Sequence, residues 1–325
     1  MKKNLWVIGL VLLVSFSVGF STAHAAGKRI SIASAGTGGA WYWVAAGWAS
    51  VLNKYVKTVE VTNEQTSGAT ENIRLLDAGK AEIGMCISDV IYSAYNGNEK
   101  LGFKKKYNNM RALMSGHINR TYFVALPRTK IKTLKDLKGS GARVSLGPAG
   151  TGAEPHLRVV LKDHGVDPEK DIKLLYLSFN EQVEALKDGS LDVARLGGGI
   201  HSAALKNLTT THDVVFVELD KEIMRKQVAD NPYWSFDPLP ANIYKGQTKE
   251  YWHATEGSMS FVREDFPEDL AYTIVKVLIE HVGEVAKVHA DAAEWNLQNY
   301  RRMIAIPFHP GAIKYYKEKG VWKEK

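Results

Sequence analysis

Two Gly-Thr-Gly turns hold the residues of this chain that are best suited to binding chemistry. The first lies in SAGTGGAW (34–41) and the second in PAGTGAEP (148–155), each between an apolar run and a helical pattern. The first N–H groups of a helix are unpaired, the helix dipole favours negative charge there, and glycine lets a ligand approach the backbone. We therefore expect a small anion to contact residues of both turns: Thr37, Gly38, Gly39, Thr151 and Gly152.

Each turn also has a purely structural interpretation. Gly-Thr-Gly can supply the backbone angles of a turn, and Thr151 and Glu154 have the spacing of a capping box. A single copy would leave binding and structure equally open. Two copies at strand ends of two facing units favour binding, because ligands of open α/β sheets bind outside the carboxyl ends of the strands.

Other polar residues stand at comparable positions. Tyr42 lies in the first turn of the helical pattern after the first Gly-Thr-Gly, one step off its apolar stripe. Ser67 precedes the helical pattern ATENIRLLDAG, and Ser88 follows the apolar run AEIGMCI, where we expect it to cap the next helix. The helix dipole accounts for Asp89 without a ligand. Tyr42, Ser67 and Ser88 therefore stand at the same edge as the two Gly-Thr-Gly turns.

Arg195 is the charged residue with the most unusual setting. It lies in LDVARLGGG, near the carboxyl end of an otherwise apolar strand, where a charge requires a partner. That partner is either a structural carboxylate of the protein or the carboxylate of a ligand. The sequence leaves both open, and we include Arg195 among the predicted ligand-binding residues.

Motifs for other chemistries do not occur in the sequence. GTGGAW lacks the third glycine of the dinucleotide fingerprint, no Gly-Lys-Ser/Thr follows it, and no G-x-S-x-G is present. The ten histidines form no H-x₃-H or HExxH pair, so we expect no metal and no cofactor. Lys104–Lys106 is a lone basic run in a chain of net charge +7, which argues against nucleic-acid binding. Cys86 is the single cysteine, is expected to be buried, and excludes an internal disulfide.

The elements that must position these residues alternate between strands and helices. Apolar runs predict the strands, and amphipathic patterns predict the helices. The first set has strands at 29–34, 59–63 and 81–87 and helices at 41–55, 68–79 and 89–96. The second has strands at 142–147, 172–178, 191–197 and 213–219 and helices at 154–164, 180–188, 201–208 and 220–229. This order predicts two α/β units built on parallel strands.

Two extended segments without a crossover helix, 110–127 and 251–264, stand before and after the second unit. They predict that one lobe is inserted into the other, with two hinge strands crossing between two parallel-centred sheets. Lobe I would comprise 27–121 and 254–325, whose last part is helical, and lobe II would comprise 122–253.

The first 25 residues predict a secretory signal peptide. Lys2 and Lys3 precede an apolar run of 16 residues (5–20), and Ala23-His24-Ala25 has the small-x-small pattern of a cleavage site. A membrane-spanning helix needs about 20 apolar residues. We therefore expect export with cleavage near Ala25, which would leave the rest of the chain as the mature protein.

Several segments together resemble a known family. GTGGAWYWVAAGWASVLNK, TSGATENIRLLDAGKAEIGMCISDVIYSAYNG, GPAGTGAE and HPGAIKYYKEKG are similar to the TAXI class of solute receptors, the periplasmic components of tripartite ATP-independent (TRAP) transporters. The resemblance implies a type II-like periplasmic-binding-protein fold and a pocket lined by Gly38, Tyr42, Ser67, Ser88, Thr151 and Gly152. It also implies glutamate, 2-oxoglutarate or a related carboxylate as ligand, and membrane subunits of a TRAP transporter as partners. Trp41, Trp43 and Arg195 depart from the family pattern.

The function expected from these observations is capture of a small organic anion between two lobes, by a monomer and without catalysis. One alternative is an exported α/β enzyme acting on a small carboxylate, for which the sequence shows no acid–base pair at suitable spacing. The other is a sensory or interaction module whose lobes enclose a partner protein.

Overall fold

The computed structural model describes residues 27–99, 102–149, 153–231 and 233–324. The first set of elements comprises β1 (Lys28–Ala33), α1 (Ala40–Tyr55), β2 (Val59–Glu64), α2 (Ala69–Asp77), β3 (Ile83–Ile87) and α3 (Ser88–Asn96). A long strand, β4 (Met110–Ala125), leads to the second set: β5 (Ala142–Ser145), α4 (Glu154–Asp163), β6 (Ile172–Leu175), α5 (Phe179–Asp188), β7 (Val193–Gly198), α6 (Ala203–Thr211), β8 (Val215–Phe216) and α7 (Lys221–Asp230). The chain continues with β9 (Trp234–Leu239), β10 (Tyr251–Arg263), α8 (Glu268–Glu280), α9 (Val282–Ala286) and α10 (Pro310–Glu318).

The two predicted α/β sets are confirmed, with two differences near the end of the second set. The strand predicted at 213–219 is reduced to β8, and β9 was not predicted. β8 pairs only with the last residues of β4, and β9 pairs only with β10. Each therefore has a single partner at the margin of the sheet, where few ladder bonds stabilise a strand.

Apolar periodicity explains why these segments fold as they do. In α1, the residues at helical spacing on one face are buried, with Val44, Trp48 and Leu52 at most 1% exposed. All five residues of β3 are buried, as expected for a parallel strand covered by helices on both faces. Cys86 lies in that strand and is buried, which confirms the prediction for it.

The strands of both sets have the same order around the crossing strands. β2, β1 and β3 are parallel neighbours, and β3 pairs antiparallel with β10, which pairs antiparallel with β4. In the second set β6, β5 and β7 are parallel neighbours, and β7 pairs antiparallel with β4. The two-lobed α/β fold is confirmed, with two parallel sets of strands joined by two crossing strands. Because β4 and β10 are long enough to belong to both lobes and pair with each other, all these strands form one continuous hydrogen-bonded sheet.

The two crossing strands hold each other where they pass from one lobe to the other. Residues 118–120 of β4 pair with residues 255–257 of β10, and the register shifts between Gly257 and Met259. Such irregularities bend a strand locally. The predicted lobe boundaries, at 121/122 and 253/254, fall within these strands and stay a prediction of domain organisation.

Across the described ranges, no helix combines the length and the apolar character needed to cross a membrane. The predicted signal peptide, residues 1–25, lies outside these ranges.

Gly116 in β4 provides a test of packing beneath the crossing strands. A Cβ added there would lie 1.9 Å from the ring of Trp295, which is buried and donates from Nε1 to Nδ1 of His117 at 2.9 Å. Gly116→Ala should therefore lower the free energy of unfolding by about 1–3 kcal/mol in a denaturant titration. Gly283→Ala is the control, since a Cβ there meets no atom outside its own helix within 4 Å. Equal stability of the two variants would contradict the packing argument.

Candidate ligand-binding site

A cavity of about 500 Å³ lies between the two sets of elements, beside the crossing strands. Its wall comes from the loop after β1, the turn before α2, the end of β3, β4, the loop after β5, the start of α5 and the end of β7. Ligand sites of proteins have volumes of about 300–1,000 Å³ and lie preferentially between domains. The cavity therefore has the size and place of a small-molecule site.

The first Gly-Thr-Gly turn forms part of the wall, as the sequence suggested. Thr37, Gly38 and Gly39 all line the cavity. The N–H of Gly39 donates to the carbonyl of Gly36 at 3.2 Å, so this donor is used by the turn itself. Gly39 is the N-cap of α1 and no side chain caps this helix. The start of α1, with its dipole, is thus open toward the cavity.

The second Gly-Thr-Gly turn is only partly described. Thr151 and Gly152 lie outside the described residues, so the predictions for them are not addressed, while their neighbours Pro148 and Ala153 line the cavity. Helix α4 begins at Glu154, whose carboxylate accepts from Nε of Arg158 at 2.7 Å. Glu154 is therefore the first residue of α4 and not its third, the place that the capping-box alternative requires.

Three other predicted residues have different surroundings. Ser67 lines the cavity, and its N–H and Oγ both donate to Oε2 of Glu71, at 2.6 and 2.7 Å. Tyr42 is half-buried on α1 outside the cavity wall. Ser88 is fully buried, also outside the wall, and donates from Oγ to the carbonyl of Gly257 at 3.0 Å. The prediction that Ser88 caps α3 is wrong, because Ser88 is the first residue of that helix and its hydroxyl bonds the crossing strand β10.

Arg195 reaches the cavity wall from β7 while being only 4% exposed. Its Nη2 donates to Oγ1 of Thr121 at 2.8 Å, and its guanidinium carbon lies 5.7 Å from the centre of the Phe179 ring. Its Nε has no hydrogen-bond partner. Among the described residues, no carboxylate oxygen lies within 4.0 Å of a guanidinium nitrogen of Arg195. Among the described residues, the direct structural ion pair that the sequence left open is therefore absent, although the charges of Glu256 and Asp89 act on Arg195 from farther away.

Trp41 also differs from its neighbours on α1. It is buried like the rest of the stripe, but it lines the cavity and donates from Nε1 to Oγ of Ser258 at 3.0 Å. Phe179, at the start of α5, contributes an aromatic surface on the other side. Two aromatic rings and one guanidinium suit a ligand that carries both apolar and anionic parts.

The first turn is held against the second set of elements. Nδ2 of Asn180 donates to Oγ1 of Thr37 at 3.0 Å, and the N–H of Ala204 donates to the carbonyl of Gly38 at 3.3 Å. A Cβ at Gly38 would lie 2.9 Å from both Cβ of Phe179 and Oδ1 of Asn180. Glycine is thus needed here for the close approach of the two lobes, in addition to any contact with a ligand.

A buried ion pair that the sequence did not predict joins the two sets of elements. Oδ2 of Asp89, on α3, lies 2.8 Å from Nδ1 of His156 on α4 and accepts a hydrogen bond from Nε1 of Trp234 on β9 at 2.9 Å. The His156 contact is an ion pair without the alignment of a good hydrogen bond. Burial opposes both charges, but each partner outweighs it, so the pKa of Asp89 is lowered and the pKa of His156 is raised. Each charge therefore favours the other, and the ionised pair attracts the two lobes to each other.

Asp89 was visible in the sequence as a first-turn residue of α3, but no sequence signal linked it to His156 or Trp234.

Within the described ranges, the structure shows no group of three or more His, Cys, Asp or Glu side chains placed to bind a metal ion. Of the residues predicted to bind the ligand, the cavity wall contains Thr37, Gly38, Gly39, Ser67 and Arg195.

Two α/β lobes, joined by crossing strands and enclosing a cavity at their strand ends, define the two-lobed fold of periplasmic binding proteins. Residues 32–320 match the NMT1-like family, and the chain belongs to that family.

Solved structures show the same architecture. A protein of Bordetella bronchiseptica RB50 is 14% identical over 89% of this chain and 88% of its own, with a TM-score of 0.52. A structure described as a periplasmic transporter is 14% identical over 82% of this chain and 87% of its own, with a TM-score of 0.50. The periplasmic aliphatic sulphonate binding protein SsuA of Escherichia coli is 13% identical over 90% and 79%, with a TM-score of 0.49. The first two similarities, both at 14% identity, show that the fold is shared.

Proposed function

We propose that this chain is a periplasmic receptor that captures a small organic anion between its lobes and delivers it to the membrane subunits of a TRAP transporter. The observation that carries the proposal is Arg195, a buried guanidinium in the cavity wall that forms no ion pair within 4.0 Å among the described residues. A buried charge is unfavourable unless it is paired. A ligand carboxylate is the partner that this geometry leaves room for.

The energetics require such a charge. The start of a helix contributes about 0.3–1 kcal/mol toward an anion when exposed and up to about 2 kcal/mol when partly buried. Micromolar affinity corresponds to about 8 kcal/mol, which two helix starts do not reach. A charge-assisted hydrogen bond adds about 1.5–3 kcal/mol, and guanidinium can make two to one carboxylate.

The family resemblance of the motifs supports the more specific part of the proposal. Glutamate, 2-oxoglutarate or a related small carboxylate is the ligand class that the TAXI resemblance implies, and TRAP membrane subunits are the partner it implies. Export by the signal peptide at residues 1–25 belongs to the same proposal, since a receptor of this kind acts in the periplasm.

A thermal-shift screen of the mature protein against dicarboxylates, 2-oxo acids and amino acids tests ligand capture. A ligand that binds only the folded protein raises its melting temperature by mass action, so at least one small carboxylate should give a concentration-dependent rise. Stabilisation by no member of the panel would contradict the receptor and favour a module that encloses a protein partner. Conversion of the ligand during incubation, followed by mass spectrometry, would favour the enzyme.

Closure of the lobes is expected to accompany capture. The contacts of Thr37 with Asn180 and of Asp89 with His156 belong to a closed arrangement in which the cavity is covered from both sides. Small-angle X-ray scattering should therefore show a smaller radius of gyration with saturating ligand than without it. An unchanged profile would contradict hinge closure while leaving binding intact.

A further inference from the structure

Four ionisable side chains form a buried cluster behind the cavity wall, where the two lobes meet. They come from four different elements: Asp89 on α3, His156 on α4, Arg195 on β7 and Glu256 on β10. Asp89, Arg195 and Glu256 are 2%, 4% and 4% exposed, and the His156 side chain is 16% exposed. Of the four, only Arg195 lines the cavity. A ligand in the cavity can contact Arg195 but not the other three side chains. A change in their charge therefore affects ligand binding through the electrostatics of Arg195.

Two of these charges compensate each other. Asp89 and His156 form the ion pair described above, and Trp234 donates a further hydrogen bond to Asp89. Their combined charge is close to zero while both are ionised. The charge presented at the cavity wall is then decided by Arg195 and Glu256.

Glu256 lies in a setting that penalises its ionised form. Its Oε2 is buried without a hydrogen-bond partner. Burial, and then the nearby negative charge of Asp89, raise the pKa of Glu256 well above its usual range, while Arg195 acts in the opposite direction. Besides these, the thiol of Cys86 on β3 faces the same cluster, and its pKa is raised by burial and by the charges of Asp89 and Glu256.

Arg195 is the member of this cluster whose positive charge acts both on Glu256 and on an anion at the cavity wall. When Glu256 is ionised, its carboxylate compensates the guanidinium through the protein interior. An anion at the cavity wall would then meet a cluster without net positive charge, and it would repel Glu256. When Glu256 carries a proton, it is neutral and does not compensate the positive charge of Arg195, which then attracts the ligand more strongly.

We propose that Glu256 carries a proton in the ligand-bound receptor, so that the capture of an anion at Arg195 is coupled to the uptake of a proton. The inference rests on the proposed function, because it needs an anion at Arg195. Glu256 acts through Arg195 and is thus a positioning residue of the site. Its protonation state determines how strongly the Arg195 guanidinium attracts the ligand.

The sign of the pH dependence follows from linkage. A ligand that raises the proton affinity of a group binds more tightly where that group is protonated. Affinity should be constant at low pH and should fall as pH rises above the pKa of Glu256 in the free receptor. The fall is at most about tenfold per pH unit for one proton.

Calorimetry with 2-oxoglutarate as the probe tests the coupling in a pH range where its carboxylates are fully ionised. Titrations between about pH 6.5 and about pH 9, each in two buffers of different ionisation enthalpy, count the protons taken up. Wild-type protein should take up a fraction of a proton that approaches one in the region where affinity falls. A count of zero over the whole range overturns the inference, whatever the variants do.

Glu256→Gln separates Glu256 from the other titrating group. The amide imitates the protonated acid, so this variant should keep the low-pH affinity of the wild type and lose less of it as pH rises. His156 also loses its proton as pH rises, and its contribution persists in Glu256→Gln. The expected result is therefore a smaller proton count and a shallower pH profile than in the wild type. Glu264→Gln, an exposed replacement beyond the end of β10, should leave both unchanged.

Equal proton counts in wild type and Glu256→Gln would overturn the inference, as would weaker binding of the variant at every pH. Glutarate, tested in parallel, separates this failure from failure of the proposed function. If neither 2-oxoglutarate nor glutarate binds the wild type, the proposed function fails for this ligand class and the inference falls with it. If either binds without Glu256-dependent proton uptake, only the inference is overturned.

Discussion

Arg195→Met should weaken the binding of a carboxylate ligand at least about tenfold, or about 1.4 kcal/mol, in isothermal titration calorimetry. A charge-assisted hydrogen bond contributes about 1.5–3 kcal/mol, and methionine makes none. Methionine retains much of the unbranched stem, so the packing beside Phe179 is largely kept. The effect on affinity is therefore expected to reflect the lost charge.

The ligand-free stability of the same variant should change little or increase. Arg195 is buried with a single side-chain hydrogen bond, to Thr121, so its removal also removes an unfavourable desolvation. A lower melting temperature with unchanged affinity would contradict the ligand contact and show that the guanidinium stabilises the fold.

Arg143→Met is the matched control. Arg143 lies on the neighbouring strand β5 and forms a partly exposed ion pair with Asp192, with Nη2 and Oδ1 2.7 Å apart. Exposed pairs of this type contribute about 0–1 kcal/mol. We expect a small loss of stability and no change in affinity.

Asp89→Asn should produce the second large effect, a loss of ligand affinity of at least about tenfold. Removal of one partner of a buried ion pair costs about 3–5 kcal/mol, because the other charge is left buried and unpaired. Part of this cost is recovered when His156 releases its proton. Asparagine keeps an oxygen that can accept from Trp234, so the substitution mainly removes the charge.

The loss should appear in affinity because Asp89 and its partners lie on different sides of the cavity. His156 belongs to the second set of elements and Trp234 to β9, which follows that set, whereas Asp89 belongs to the first set. If the lobes separate without ligand, the pair contributes only to the closed, ligand-bound form. Calorimetry and scattering on the same samples would check both expectations: weaker binding and incomplete compaction.

Asp77→Asn is the control for this replacement. Asp77 ends α2 and pairs with Lys105 at the surface, with Oδ2 and Nζ 2.5 Å apart. It should leave affinity and compaction as in the wild type. If Asp89→Asn lowers the melting temperature of the ligand-free protein and leaves affinity unchanged, the ion pair stabilises the fold independently of closure.

The sequence by itself determined the elements and their order. Apolar periodicity predicted α1 and β3, and the missing crossover helix predicted the extended strands that became β4 and β10. These signals are local, since side chains three, four or two residues apart share a face whatever the rest of the chain does. Strands at the margin of the sheet were harder to predict. β9 contains Pro238, which weakens the pattern of a strand, and β9 forms only because β10 has a free edge with which it can pair.

The sequence also indicated the first turn and Arg195, but the tertiary structure decided what they contact. Gly38 looked like a place for a ligand to approach, and it also contacts the first residues of α5 and α6 in the other lobe. Ser88 has the local pattern of a helix cap, and its hydroxyl instead bonds the crossing strand at Gly257. A short polar side chain follows its local preference only where no tertiary partner competes.

Only the tertiary structure decided the charges behind the cavity. Asp89, His156, Arg195 and Glu256 lie on four elements far apart in the chain, and each has an ordinary local interpretation. Their pairing depends on where α3, α4, β7 and β10 meet, and their protonation depends on how much water is excluded there. Distance and burial set the energy of a charge, and both are properties of the folded chain, which no spacing along the sequence determines.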